Sequence, residues 1–173
     1  MYTTILAATD GSEHAGKAVD LASDLAVKYD AKLVLVHVLL SGDRTERLKR
    51  WAEVEHVGGA RSSGLATALA EVPLAKAPHA GDNPFLSAQV AQAIGDHLLQ
   101  SSKRVAAERG VKEIKGVVKD GDPAKAILGC AKTEGADLIV IGSRGLGDLK
   151  GLLVGSVSHK VCQLADCTCI TVR

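Results

Sequence analysis

Residues 136–157 read Ala-Asp-Leu-Ile-Val-Ile-Gly-Ser-Arg-Gly-Leu-Gly-Asp-Leu-Lys-Gly-Leu-Leu-Val-Gly-Ser-Val. The apolar run 136–141 has the form of a buried strand and stops abruptly at Gly142. A helix-period pattern begins at Val157 and continues through Val161, Leu164 and Ala165. A glycine-rich turn therefore joins a strand to a helix. Gly142 and Gly145 have no Cβ to hold a ligand off the backbone, and Gly155-Ser156 offers free amide protons and a hydroxyl at a helix start, where the dipole favours an anion. That is the chemistry of a phosphate cradle.

The same alternation extends outward in both directions. Upstream, Gly121-Asp122-Pro123 supplies an N-cap and a first-turn proline for a helix that turns Ala124, Ile127, Leu128 and Ala131 inward, and residues 113–119 read as the strand before it. Residues 85–109 carry an apolar stripe of Val90, Ile94, Leu98 and Val105, with Gly110 as the stop. At the other end of the chain, residues 3–9 form a short apolar strand followed by Asp10-Gly11-Ser12. A helix follows with Ala15, Ala18, Val19, Ala22, Leu25, Ala26 and Tyr29 on one face and Ser12 as its N-cap. Lys32–Leu40 is a nearly continuous run of Leu and Val, the mark of a parallel strand covered on both faces, and Thr168–Val172 is the last strand.

Strands and helices in alternation predict one α/β domain over residues 1–173, a doubly wound, Rossmann-like sheet of five parallel strands with helices on both faces. Ligands of such sheets lie beyond the carboxyl ends of the strands, where the strand order reverses. If the first and fourth strands are neighbours at that point, Asp10 and Gly142 face one crevice. Residues 41–84 break the rhythm with Gly58-Gly59, Pro73, Pro78, Gly81 and Pro84, leaving short helical patterns at 44–54 and 65–72. That is too long for a simple connection and reads as an insertion packed on the surface or a partly mobile segment.

Composition removes several classes of function. The chain has 173 residues, 46 % of them apolar, but one Phe, one Trp and two Tyr, so the core is aliphatic and no base-stacking platform is available. A net charge of +1 supplies no field for nucleic acid or an anionic membrane, and the longest apolar run, 33–40, is about half a membrane span and contains His37. A cytoplasmic location is the expectation. Cys130, Cys162, Cys167 and Cys169 lack metal-ligand or redox-motif spacing and read as buried packing thiols. His37 reads as a satisfied core imidazole, and His14 and His159 as helix-surface residues.

Two phosphate-loop motifs fail on the residues. A Walker A loop needs Lys after its second glycine, where Gly147 is followed by Asp148, and in a dinucleotide fingerprint the third glycine would stand one residue before Gly151. What remains is Gly142-x2-Gly145-x9-Gly155-Ser156. Together with Asp10-Gly11-Ser12, Leu-Val-His-Val at 35–38, Gly121-Asp122-Pro123-Ala124, Asp137-Leu-Ile-Val-Ile, Cys167 and Ile170-Thr-Val-Arg173, the pattern resembles the ATP-binding branch of the universal stress proteins. The likeness covers nearly the whole chain outside 41–84. Thr168 stands where the family commonly has Pro, and the 41–84 stretch is longer than the family usually carries.

The resemblance implies an ATP site, with the possible addition of Mg2+. The backbone around Ala8 and Val38 would hold the adenine, with Thr9 in the same binding set. Asp10 would lie at the ribose or a nearby magnesium, and Gly142, Arg144, Gly145, Gly155, Ser156 and Val157 would surround the phosphates. It also implies a homodimer, for which the β-branched strand Thr168–Val172 offers an edge. Asp10 by itself is more often a helix-initiating cap than a ligand. The functional expectation is a nucleotide-dependent stress-response or signalling module with at most slow ATP hydrolysis. Its alternatives are a nucleotide-free dimeric scaffold of the same fold and a true ATP-hydrolysing or adenylating enzyme. The last would want a Ser-Gly-Gly-x-Asp-Ser type loop after the first strand, where Thr9-Asp10-Gly11-Ser12 stands.

Overall fold

The computed structural model describes residues 1–40, 84–145 and 155–173. The expectations for an insertion at 41–84, for its helical patterns and for residues 146–154 lie outside the described residues, apart from Pro84, which opens a helix rather than closing a loop.

Five strands are described, β1 (Thr4–Ala8), β2 (Lys32–Leu40), β3 (Ile114–Gly121), β4 (Leu138–Gly142) and β5 (Thr168–Val172). Between them run α1 (Glu13–Tyr29), α2 (Pro84–Glu108), α3 (Pro123–Glu134) and α4 (Ser156–Leu164). All strand pairs are parallel and the order is β3-β2-β1-β4-β5. The chain winds outward from β1 to β3, then returns to the other side of β1 with β4. The reversal therefore falls between β1 and β4, whose register pairs Ile5 with Leu138 and Ala7 with Val140.

Side-chain alternation along the strands divides the core into two layers. Ile5, Ala7, Leu33, Leu35, Leu138 and Val140 face α1 and α2, where Ala18, Ala22, Ala26, Leu99 and Ala106 meet them. Leu6, Val34, Val36, Ile139 and Ile141 face the opposite way, against Ala124, Ile127, Cys130, Ala131 and Val161 of α3 and α4. The central strands are thus buried on both sides, which is why they read as unbroken apolar runs. Each fully buried Leu or Ile contributes about 1.5–3 kcal/mol relative to exposure.

The helix ends follow their local chemistry. Ser12 Oγ accepts from the Ala15 amide at 3.3 Å, and Asp122 Oδ1 from the Lys125 amide at 2.9 Å with Pro123 next in line. After α2, Gly110 takes φ +96° and its amide reaches the Ala107 carbonyl. The α2 stripe is rotated from its expected position: Ile94, Leu99 and Ala106 lie deepest while Leu98 and Val105 are half-buried. In α4, Val161 is buried but Leu164 is exposed, because the helix ends there, at the sheet's rim.

Asp137 ties the two switch-point strands together before they enter the core. Its Oδ2 accepts from both the amide and the hydroxyl of Thr3 at 2.8 Å, and Oδ1 from the Thr4 amide at 3.3 Å. Burial pushes this carboxyl up, but the hydrogen bonds from Thr3 and Thr4 outweigh it and hold the group below the usual carboxylate range.

Candidate functional site

Beyond the carboxyl ends of β1 and β4, two polar turns meet. Asp10 follows β1, and its Oδ1 accepts from the Ser12 amide at 3.0 Å, closing a tight turn through Gly11 at φ +84°. Gly142 is the last residue of β4 and lies under the first turn of α1: a Cβ there would stand 2.8 Å from the His14 carbonyl carbon and 2.9 Å from the Ala15 amide nitrogen. Three residues on, a Cβ on Gly145 would collide with Asp10 Oδ2. Each glycine therefore admits a close approach between segments 130 or so residues apart in the chain. The carboxylate and the glycine turn do share one crevice.

The second glycine end is fixed by a residue that sequence reasoning missed. Ser143 donates its amide to the Val172 carbonyl at 2.6 Å, and its own carbonyl accepts from the Gly155 amide at 2.6 Å and from Ser158 Oγ at 2.9 Å. The two ends of the glycine stretch are clamped together through Ser143, with Ser158 buried beside it. The Ser143 hydroxyl is buried with no hydrogen-bond partner among the described residues. This corrects the expectation that Gly155 offers a free amide: that proton is spent on Ser143, and Gly155 caps α4 without a side-chain hydrogen bond. The amides of Ser156, Val157 and Ser158, in the first turn of α4, are the ones left without an intrahelical acceptor. The glycine spacing gave no sign of this clamp, because the Ser143 amide finds its partner in a β5 carbonyl.

On the β2 side, His37 donates Nδ1–H to the Thr9 carbonyl at 2.8 Å, while the Thr9 amide reaches the Val36 carbonyl at 2.9 Å. The imidazole is half-buried and satisfied, as expected, and it braces the end of β1 against β2. It faces α2, where a Cβ on Gly95 would touch the ring at 2.9 Å. Ala8 and Val38 face the other layer, toward α3 and α4. Ala8, Thr9, Asp10 and Val38 thus gather at the ends of β1 and β2, and Gly142, Arg144, Gly145, Gly155, Ser156 and Val157 at the end of β4 and the start of α4. Arg144 is half-buried at the turn.

Of the cysteines, Cys162 departs from the expectation of a buried packing thiol, while Cys167 and Cys169 are half-buried against the core. Cys130 is buried in α3, its thiol pushed up chiefly by burial, but Cys162 is exposed on α4 and its Sγ lies 2.7 Å from Cys169 Sγ. Among the described residues no helix is long and apolar enough to cross a membrane.

A doubly wound parallel sheet with two polar turns at its switch point defines the class of open, Rossmann-like α/β proteins. Within that class the chain belongs to the universal stress protein family, whose model matches residues 1–173. It is 36 % identical over 173 residues to the universal stress protein YxiE of Bacillus subtilis (strain 168), covering all of both chains. The solved structure of a universal stress protein in complex with cAMP is similar at TM-score 0.64 and 22 % identity, over 99 % of this chain and 97 % of that one. The Archaeoglobus fulgidus universal stress protein in complex with dAMP is similar at TM-score 0.60 and 19 % identity, over 99 % and 98 %.

Proposed function

We propose that this chain is an ATP-binding universal stress protein, a nucleotide-dependent stress-response and signalling module with at most slow ATP hydrolysis. The observation that carries the reading is the apposition of Asp10 and Gly145 at the reversal point of the sheet, directly beside the Gly142 turn. The donor set suits a nucleotide. Ser156 and Val157 amides at the start of a nine-residue helix and the Arg144 guanidinium complement phosphate charge. Asp10 brings a carboxylate, a group that accepts from ribose hydroxyls or holds a hydrated Mg2+. Ala8 and Val38, with Thr9 between the two strand ends, supply apolar surface on which an adenine would lie. The neighbours' cAMP and dAMP complexes support the adenine part of this reading.

Residues 1–173 act in this account as one cytoplasmic nucleotide-binding domain. It pairs as a homodimer through Thr168–Val172, which among the described residues has a sheet neighbour on one side only. The test is to denature freshly purified protein, chromatograph the supernatant, and titrate the emptied, refolded chain with ATP and Mg2+ by calorimetry. Released adenine nucleotide or saturable binding supports the proposal; neither one in a folded chain refutes it.

A further inference from the structure

A second chemically reactive locus lies at the far end of α4 from the glycine turn. We propose that Cys162 and Cys169 form a thiol pair that a peroxide-class oxidant converts into an intrachain disulfide. Four cysteines are free thiols, and these two have their sulfurs 2.7 Å apart. They sit on two ordered elements, Cys162 in the last turns of α4 and Cys169 as the second residue of β5. Bringing the sulfurs together requires no further closure of the 162–169 loop, because the fold has already done it. Access is divided between them. Cys162 is exposed, whereas Cys169 is half-buried against the α3 and α4 layer. Burial, and then the neighbouring Cys162, push the Cys169 thiol up.

This asymmetry orders the chemistry. The Cys162 thiolate attacks one peroxide oxygen, the O–O bond breaks, and hydroxide leaves and takes up a proton to become water, giving a sulfenic acid. The Cys169 sulfur then attacks the sulfenyl sulfur; the S–S bond forms, the S–O bond breaks, and the departing hydroxide takes the Cys169 proton as a second water. Each sulfur loses one electron and the peroxide gains two. Cys130 is excluded by burial in α3, 1 % exposed. The bond would tie the C-terminal turn of α4 to β5, whose other end carries the Val172 carbonyl that holds Ser143. In a reducing compartment such a bond is transient, as suits a sensing role. The inference stands whether or not a nucleotide binds.

The experiment treats the reduced full chain with hydrogen peroxide, blocks remaining thiols, and digests without reduction using a protease that cuts before Asp166, separating Cys162 from Cys167 and Cys169. The expected result is a fall from four free thiols to two, reversed by dithiothreitol, with the Cys162 peptide linked to the C-terminal one in both wild type and Cys167→Ser, and the link absent in Cys162→Ser and Cys169→Ser. Four thiols retained, a sulfinic acid at Cys162, a link that disappears in Cys167→Ser, or disulfide-linked dimers on a non-reducing gel would each overturn it. If a variant fails to fold, mass-spectrometric fragmentation of the linked wild-type peptide between Cys167 and Cys169 decides the point, a bond to Cys167 overturning the proposal.

Discussion

Replacing Gly142 by alanine places a methyl group against the backbone of α1, and the same change at Gly16 places one in open space. At Gly142 the added Cβ would stand 2.8 Å from the His14 carbonyl carbon, 2.9 Å from the Ala15 nitrogen and 3.0 Å from His14 Cβ. These contacts fall roughly half an ångström short of ordinary packing, and none belongs to a flexible side-chain end, so β4 and α1 must move apart, at a cost of about 1–3 kcal/mol. For a chain of this size that lowers the melting midpoint by roughly 2–12 °C, at about 2–4 °C per kcal/mol. Gly16 lies exposed within α1, with nothing within 4 Å of its added Cβ. Alanine there removes the entropic cost of a helical glycine and stabilises by about 0.5–1 kcal/mol, a rise of roughly 1–4 °C. Urea unfolding, followed by far-ultraviolet circular dichroism, should give opposite shifts in midpoint at constant m. A Gly142→Ala protein as stable as wild type would refute the close approach of β4 to α1, and with it the reason for glycine at this end of the cradle.

Other consequences test the frame that holds the site. Glu134 accepts from Lys115 Nζ at 2.7 Å and Lys32 Nζ at 3.1 Å, and these bonds, Lys115 first, hold its carboxyl below the ordinary value of 4.5. The unfolded chain binds the proton more readily, so the stabilisation is complete above that value and is lost as pH falls below it. The stability difference between wild type and Glu134→Gln should therefore be largest near neutrality and shrink toward pH 3; a constant difference across that range would contradict the ion pairs. Asp122→Ala removes the cap of α3 and should destabilise by about 1 kcal/mol, lowering the melting midpoint by roughly 2–4 °C, while Asp122→Asn retains most of the stability. An unchanged midpoint in Asp122→Ala would show that the Lys125 amide finds another acceptor.

What the sequence made legible follows from how local each signal is. Period-2 and period-3.6 apolar patterns are set by the two layers a strand or helix touches, so the five strands and the described helices stood out, including the capped starts at Ser12 and Asp122. The sharing of one crevice by Asp10 and the Gly142 turn depended on β1 and β4 being neighbours, a property of the sheet order that no window of sequence contains. The Ser143 clamp was hidden for the same reason, since it needs the Val172 carbonyl from β5. Gly155 looked like a free anion donor because a helix start leaves amides unpaired, yet tertiary structure supplies its amide with an acceptor in Ser143. The Cys162–Cys169 contact joins a helix to a strand, and spacing rules built for metal loops and redox motifs are blind to it.

The central claim is that the paired turns of Asp10 and Gly142 through Val157 hold an adenine nucleotide, and the thermal midpoint of the nucleotide-stripped chain with and without ATP and Mg2+ tests it most directly. Ligand at about one hundred times Kd adds about 2.7 kcal/mol of stability. Wild type should therefore melt roughly 5–11 °C higher with nucleotide. Gly145→Val, whose side chain would occupy the space of the Asp10 carboxylate, should melt at the same temperature with and without it. A wild-type midpoint that ATP and Mg2+ leave unmoved, at concentrations up to the millimolar range, would contradict the account.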